Sequence, residues 1–80
     1  MINIPYKKGY IIEGHSSMNE FLFKTNGNFW FEAEVLGTNG DFITVKLMPK
    51  SLPDNLHLFR NLAISVKFNA NEWRSSKRMN

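Results

Sequence analysis

Apolar and polar positions alternate most regularly between Phe29 and Met48. Phe29, Phe31, Ala33 and Val35 alternate with Trp30, Glu32, Glu34 and Leu36. Further on, Ile43, Val45 and Leu47 alternate with Phe42, Thr44, Lys46 and Met48. A period of two is the mark of a half-buried strand. The intervening Gly37-Thr-Asn-Gly40 predicts a β-hairpin. The two apolar sets must share a face, because a slip of one residue turns a whole set to the wrong side. Setting Val35 opposite Ile43, Ala33 opposite Val45 and Phe31 opposite Leu47 leaves Thr38-Asn39-Gly40 as the loop. Gly40 then supplies the left-handed residue such a loop needs. This register places Glu32 opposite Lys46, a favourable cross-strand pair, and Trp30 opposite Met48.

The same pattern divides the rest of the chain. Pro5 keeps the lead-in, residues 2–8, out of a central strand. A short first strand runs from Gly9 to Glu13 and ends at Gly14, and a polar connection covers residues 15–19. Residues 20–25 read as a second strand with Phe21 and Phe23 on one face. A loop of Asn26, Gly27 and Asn28 would pair Phe23 with Phe31 and Phe21 with Ala33. It is preferred to a two-residue Asn-Gly turn because each aromatic buried contributes roughly 2 kcal/mol. Pro49 to Asn55 is a loop with two prolines. Residues 56–60 form a short strand or one helical turn, and Leu62 to Phe68 is the last clear strand. Residues 71–80 form a basic polar tail, either a short helix begun at Asn71 or a disordered end. Five to six short strands predict a mainly β domain over residues 1–70, of SH3-like or OB-like size: a small antiparallel barrel or a strongly curved sheet. Its expected core is Ile12, Phe21, Phe23, Phe29, Phe31, Val35, Ile43, Val45, Leu47, Leu58, Ile64, Val66 and Phe68.

Composition narrows the setting. Eighty residues make one small domain with little stability to spare. No apolar run approaches the ~20 residues of a membrane span. No apolar stretch follows Lys7 and Lys8, which predicts the absence of a signal peptide. The chain has no cysteine, so disulfides and thiolate metal sites are excluded and a cytoplasmic location is expected. A net charge of +3 suits an acidic partner without requiring nucleic acid. Ten asparagines, mostly at turn-like positions, favour a loop-rich β protein.

The residues that carry enzyme chemistry do not assemble on paper. His15 and His57 stand alone, in neither a His-x-x-x-His nor a His-Glu-x-x-His spacing. Glu32 and Glu34 share a strand face, which a solvated sheet surface explains more simply than acid–base work. The serines lack a nucleophile-elbow context, and Gly37–Gly40 is not followed by the helix and Lys-Ser/Thr of a phosphate loop. The expectation is a non-enzyme with no cofactor and no metal.

What stands out is the polar face of the central hairpin, which carries Leu22, Trp30, Leu36, Phe42 and Met48 beside Lys24, Glu32, Glu34, Thr44 and Lys46. Either the N-terminal segment or the tail with Trp73 covers it, or it is a binding surface, since apolar residues rimmed by charge mark interaction sites. The leading reading is a non-catalytic protein-binding module, of the kind used as a small phage-type or accessory inhibitor that masks a larger partner. Its contacts would be Trp30, Phe42 and Met48 with Lys24, Lys46, Glu32 and Glu34. The second reading is nucleic-acid binding through an SH3-like or OB-like sheet, with Lys24, Lys46, Arg60 and the tail residues Arg74, Lys77 and Arg78 on phosphates and Trp30, or Trp73 of the tail, stacking on bases. Within it, Arg74-Ser-Ser-Lys-Arg78 has an Arg-x-x-x-Arg spacing that, with about six short strands, resembles PilZ domains; that resemblance implies cyclic di-GMP as ligand. In that family the arginines precede the barrel and an Asp-x-Ser-x-x-Gly element accompanies them; here they follow it and the element is missing. A third reading is a homo-oligomer joined through an unpaired edge strand.

Overall fold

The protein's computed structural model describes residues 3–23 and 27–76. Five antiparallel strands form one sheet in the order β4-β3-β2-β1-β5: β1 Ile11–His15, β2 Trp30–Asn39, β3 Phe42–Leu47, β4 Ala63–Lys67 and β5 Trp73–Ser75. Among the described residues nothing pairs β4 with β5, so the sheet is open rather than closed into a barrel. No described helix is long and apolar enough to cross a membrane.

The central hairpin has the expected faces and a different register. Phe31, Ala33 and Val35 on β2 and Ile43, Val45 and Leu47 on β3 are all fully buried. But Ala33 pairs with Leu47, Glu34 with Lys46 and Val35 with Val45. Met48 lies across from Glu32, its N–H donating to the Glu32 carbonyl at 2.9 Å; the Glu32–Lys46 and Trp30–Met48 pairs are not formed. The turn explains the shift. It has two residues, Gly40 and Asp41, between paired Asn39 and Phe42, with positive φ at Gly40 (+60°) and not at Asp41. That sign pattern belongs to a type II′ hairpin, whose twist matches the strands. Continued without interruption, it would set Val35 against Lys46 and turn one apolar set outward. A bulge between Val35 and Gly37 absorbs one extra residue, Leu36, and returns both sets to the core side.

The segment expected as the second strand is helical. A 3₁₀ turn over Ser16–Asn19 leads into a short helix, α1, Glu20–Phe23. Local caps hold it: the Ser17 N–H donates to His15 Nδ1 (3.2 Å) and the Leu22 N–H to Asn19 Oδ1 (3.2 Å). The place at the edge of β2 is taken by β1, with Ile12 opposite Ala33 and Gly14 opposite Phe31. Ser16 seals that junction, its Oγ accepting from Phe29 N–H (3.0 Å) and donating to the Gly27 carbonyl (3.2 Å). On a helix, residues two apart point to different sides. Phe23 is therefore buried, stacked on Phe31 at 5.1 Å, while Phe21 is 88% exposed and leaves the expected core. Leu22 also packs against the core rather than on the outer face. Asn26 and Thr25, in the expected loop and strand end, lie outside the described residues.

The remaining segments roof the inner face. The 3₁₀ turn Asp54–Phe59 fits the helical alternative for this stretch. It buries Leu56 and half-buries Phe59 three residues on, but leaves Leu58 83% exposed, against expectation. Leu52, Phe68 and Trp73 complete the core, with Ile4, Tyr6, Met18, Phe29, Ile64 and Val66 packed at its margin. The stretch read as a helical or disordered tail contributes β5, which pairs with β1.

Gly14 permits this close packing. A Cβ there would lie 2.8 Å from Met18 Cε, from Phe31 Cζ and from Trp73 Cζ3. Met18 can swing aside, but the two ring edges are fixed in the core. Gly14→Ala is expected to cost about 1–3 kcal/mol through overpacking, read as a fall of several degrees in the melting temperature. An unchanged melt would mean that the two rings do not close over Gly14.

Candidate functional site

The outer face of the sheet follows from the alternation that builds the core. With Ile12, Gly14, Phe31, Ala33 and Trp73 turned inward, Glu13, His15, Trp30, Glu32, Glu34 and Arg74 turn outward. Trp30 sits at the start of β2 opposite His15 on β1. The imidazole meets the indole edge-on, centroids 5.1 Å apart at 73°. From two strands away, Arg74 reaches across β1 and lays its guanidinium 3.9 Å from the centre of the Trp30 ring. On the way its Nε donates to Glu13 Oε1 at 2.6 Å. Trp30 is thereby half-buried, in part under Arg74 of β5, the segment expected as a tail.

Electrostatics explain why β5 docks here. Glu13 and Glu32 are cross-strand partners, and like charges set opposite one another are destabilising. β5 and the residue after it answer both carboxylates: Arg74 takes Glu13, and Ser76 Oγ donates to Glu32 Oε2 at 2.9 Å. Glu34 pairs with Lys46, its cross-strand neighbour, at 3.5 Å. Farther along, Thr44 Oγ1 donates to Ser65 Oγ at 3.3 Å. At the far end Phe42, paired with Lys67, is 47% exposed. On this face Glu13, Glu32 and Glu34 stand against Arg74, Lys46 and Lys67, so the charge is mixed and balanced.

Of the expected contact residues, Trp30, Glu32, Glu34, Phe42, Lys46 and Met48 share this face, while Lys24 lies outside the described residues. The second set is scattered. Trp73 is 4% exposed and is a core residue, its ring edge-on to Phe31 at 6.1 Å, so it is not placed to stack on a base. Arg60 ends the turn at residues 54–59, its Nη1 donating to the His57 carbonyl at 2.7 Å, off the sheet face. Lys77 and Arg78, and with Arg78 the Arg-x-x-x-Arg spacing, lie outside the described residues. Arg74 joins the Trp30 group instead. Glu13, His15 and Ser76 were missed. Carrying the period of two from Ile12 through Gly14 would have placed Glu13 and His15 outward; nothing local marks Ser76.

His15 and Ser17 form the one Ser–His contact seen here among the described residues, Nδ1 to Oγ 2.8 Å. The same Nδ1 accepts the Ser17 backbone N–H, so it serves as a turn cap. A hollow of about 240 Å³ beside it is lined by Ser16, Ser17, Glu20, Phe23, Gly27 and Asn28 and, among the described residues, brings no second charged side chain to Glu20. Among the described residues no three His, Cys, Asp or Glu side chains are grouped to hold a metal ion. No family model, curated protein or solved structure matches the chain.

Proposed function

We propose that this chain is a non-catalytic protein-binding module that meets its partner through the outer sheet face centred on Trp30. The observation that carries this reading is the clamp on that residue: His15 at its edge and Arg74 over its ring hold a large amphipathic side chain in one orientation at a partly open surface. A pre-oriented tryptophan loses little entropy on binding, which is why Trp, Tyr and Arg dominate binding hot spots. Phe42 adds exposed apolar area on the same face, and the balanced charges around it suit a protein surface. A phosphate backbone would meet three carboxylates here, and Arg74 is already engaged by Glu13. A module this small acts by occupying a partner's surface, as an accessory inhibitor does.

Trp30→Ala tests the reading. The loss of its contact with Arg74 costs the fold about 0.5–1 kcal/mol, so the variant is expected to fold and melt slightly early. Captured partners, recovered from the native host extract with nuclease present, should bind on the order of 30-fold more weakly. A folded Trp30→Ala that captures as well as wild type would remove this face from consideration. Capture that vanishes with nuclease would make nucleic acid the ligand.

A further inference from the structure

The geometry points to a second interface, at the free edge of β4, whose occupant is a second copy of this chain. Among the described residues, β4 is the last strand on its side of the sheet. The Leu47 N–H donates to the Leu62 carbonyl (2.9 Å) and the Phe68 N–H to the Asp41 carbonyl (2.8 Å), so the Leu62 carbonyl, the backbone groups of Ile64 and Val66 and the Phe68 N–H turn toward β3. By the alternation of an antiparallel ladder, Ala63, Ser65 and Lys67 turn theirs to the open edge. Soluble proteins normally block such an edge with prolines, bulges or several charges. β4 has no proline, no break in its register with β3, and a single lysine at its end.

The sequence of β4 suits an antiparallel copy of itself. Residues with outward backbone groups must meet each other across a two-fold axis. The register centred on Ser65 engages every one of them: Ser65 faces Ser65 of the second copy, and Ala63 faces its Lys67. It sets no like charges opposite each other. A register moved to centre on Lys67 would oppose the two lysines and leave Ala63 unused. On the inner side the Ser65-centred register brings Ile64 against Val66 of the second copy and Leu62 against its Phe68, an unbroken apolar ladder. Three of these positions are left partly open by the monomer: Ile64 and Val66 are half-buried and Leu62 is 38% exposed, while Phe68 is already buried in the core. The axis stands perpendicular to the sheet, so both Trp30 faces lie on the same side of one continuous sheet. The pairing does not depend on that face being a binding site.

The test is the state of association of the full chain. Sedimentation over a concentration series should show a monomer–dimer equilibrium. Ser65→Pro removes an N–H aimed at the open edge and none from the ladder to β3, a position where proline is tolerated in an edge strand; it should fold and sediment as a monomer. Ala63→Lys sets lysine opposite Lys67 twice by symmetry and should raise the dimer Kd about tenfold, whereas Ala63→Glu should lower it. Register is read by cross-linking. The chain has no cysteine, so Ser65→Cys introduces a single thiol about 5.5 Å, Cα to Cα, from its own copy, within disulfide reach. It should form a covalent dimer on oxidation, and Lys67→Cys should not. A wild-type monomer throughout the series, or a folded Ser65→Pro that still dimerises, would overturn the proposal. Cross-linking through Lys67→Cys in preference to Ser65→Cys would do the same.

Discussion

Phe31→Ala is expected to remove about 3–5 kcal/mol of stability, as large aromatic-to-alanine changes in packed cores do. The side chain is fully buried, and its neighbours come from separate segments: Phe23 of α1 stacked at 5.1 Å and Trp73 of β5 edge-on at 6.1 Å. Both are bulky rings held by their own segments, and Gly14 brings no side chain that could fill the gap. The cavity would therefore stay open. A domain of this size holds about 4–12 kcal/mol in all, so the variant should lose at least a quarter of its stability. Urea unfolding measures this directly. A midpoint equal to that of wild type would mean that the inner and outer faces of β2 are reversed.

Trp73→Ala should cost a similar amount, about 3–5 kcal/mol, and should also alter the outer face. β5 has three residues, too few to hold by backbone pairing alone. Trp73 anchors it from the core side and Arg74 from the outer side. The Trp73 Nε1 has no hydrogen-bond partner among the described residues, so its contribution there is ring volume, and Trp73→Phe should restore most of the loss. Once β5 is released, Arg74 leaves Glu13 and Trp30, and Ser76 leaves Glu32. The two carboxylates of β1 and β2 are then left facing one another. The near-ultraviolet signal of Trp30 should change together with the melt. Arg74→Ala separates the two effects: it should move the Trp30 signal with a much smaller change in stability, because the arginine is largely exposed. Wild-type stability in Trp73→Ala would show that β5 is held without its tryptophan.

The Trp73 case marks where sequence reading stops. A tryptophan among arginines and lysines near the end of a chain carries the local signature of a tail. Its burial depends on a glycine in β1 and a phenylalanine in β2, residues that nothing nearby in the sequence connects to it. The outer-face group is similar. Trp30, Glu32, Glu34 and Lys46 were legible as a set because they alternate with the core positions of their own strands. Glu13 and Arg74 join them only through the pairing of β1 with both β2 and β5.

By itself, the amino-acid sequence determined which side chains of β2, β3 and β4 face inward, that a glycine-bearing turn joins β2 to β3, and that the chain builds an antiparallel sheet. Each of these is a local property, set by the period of two and by glycine at the turn. Tertiary structure decided the register, through a II′ turn and a compensating bulge. It also decided which segment takes the edge of β2. Glu20–Phe23 and Ile11–His15 both alternate well enough to pair there, and β1 wins because caps at His15 and Asn19 favour helix in the other segment while Gly14 admits the rings of Phe31 and Trp73. Competition between distant segments for one edge depends on how well each packs against everything else, and that information is not held in any single stretch of the chain.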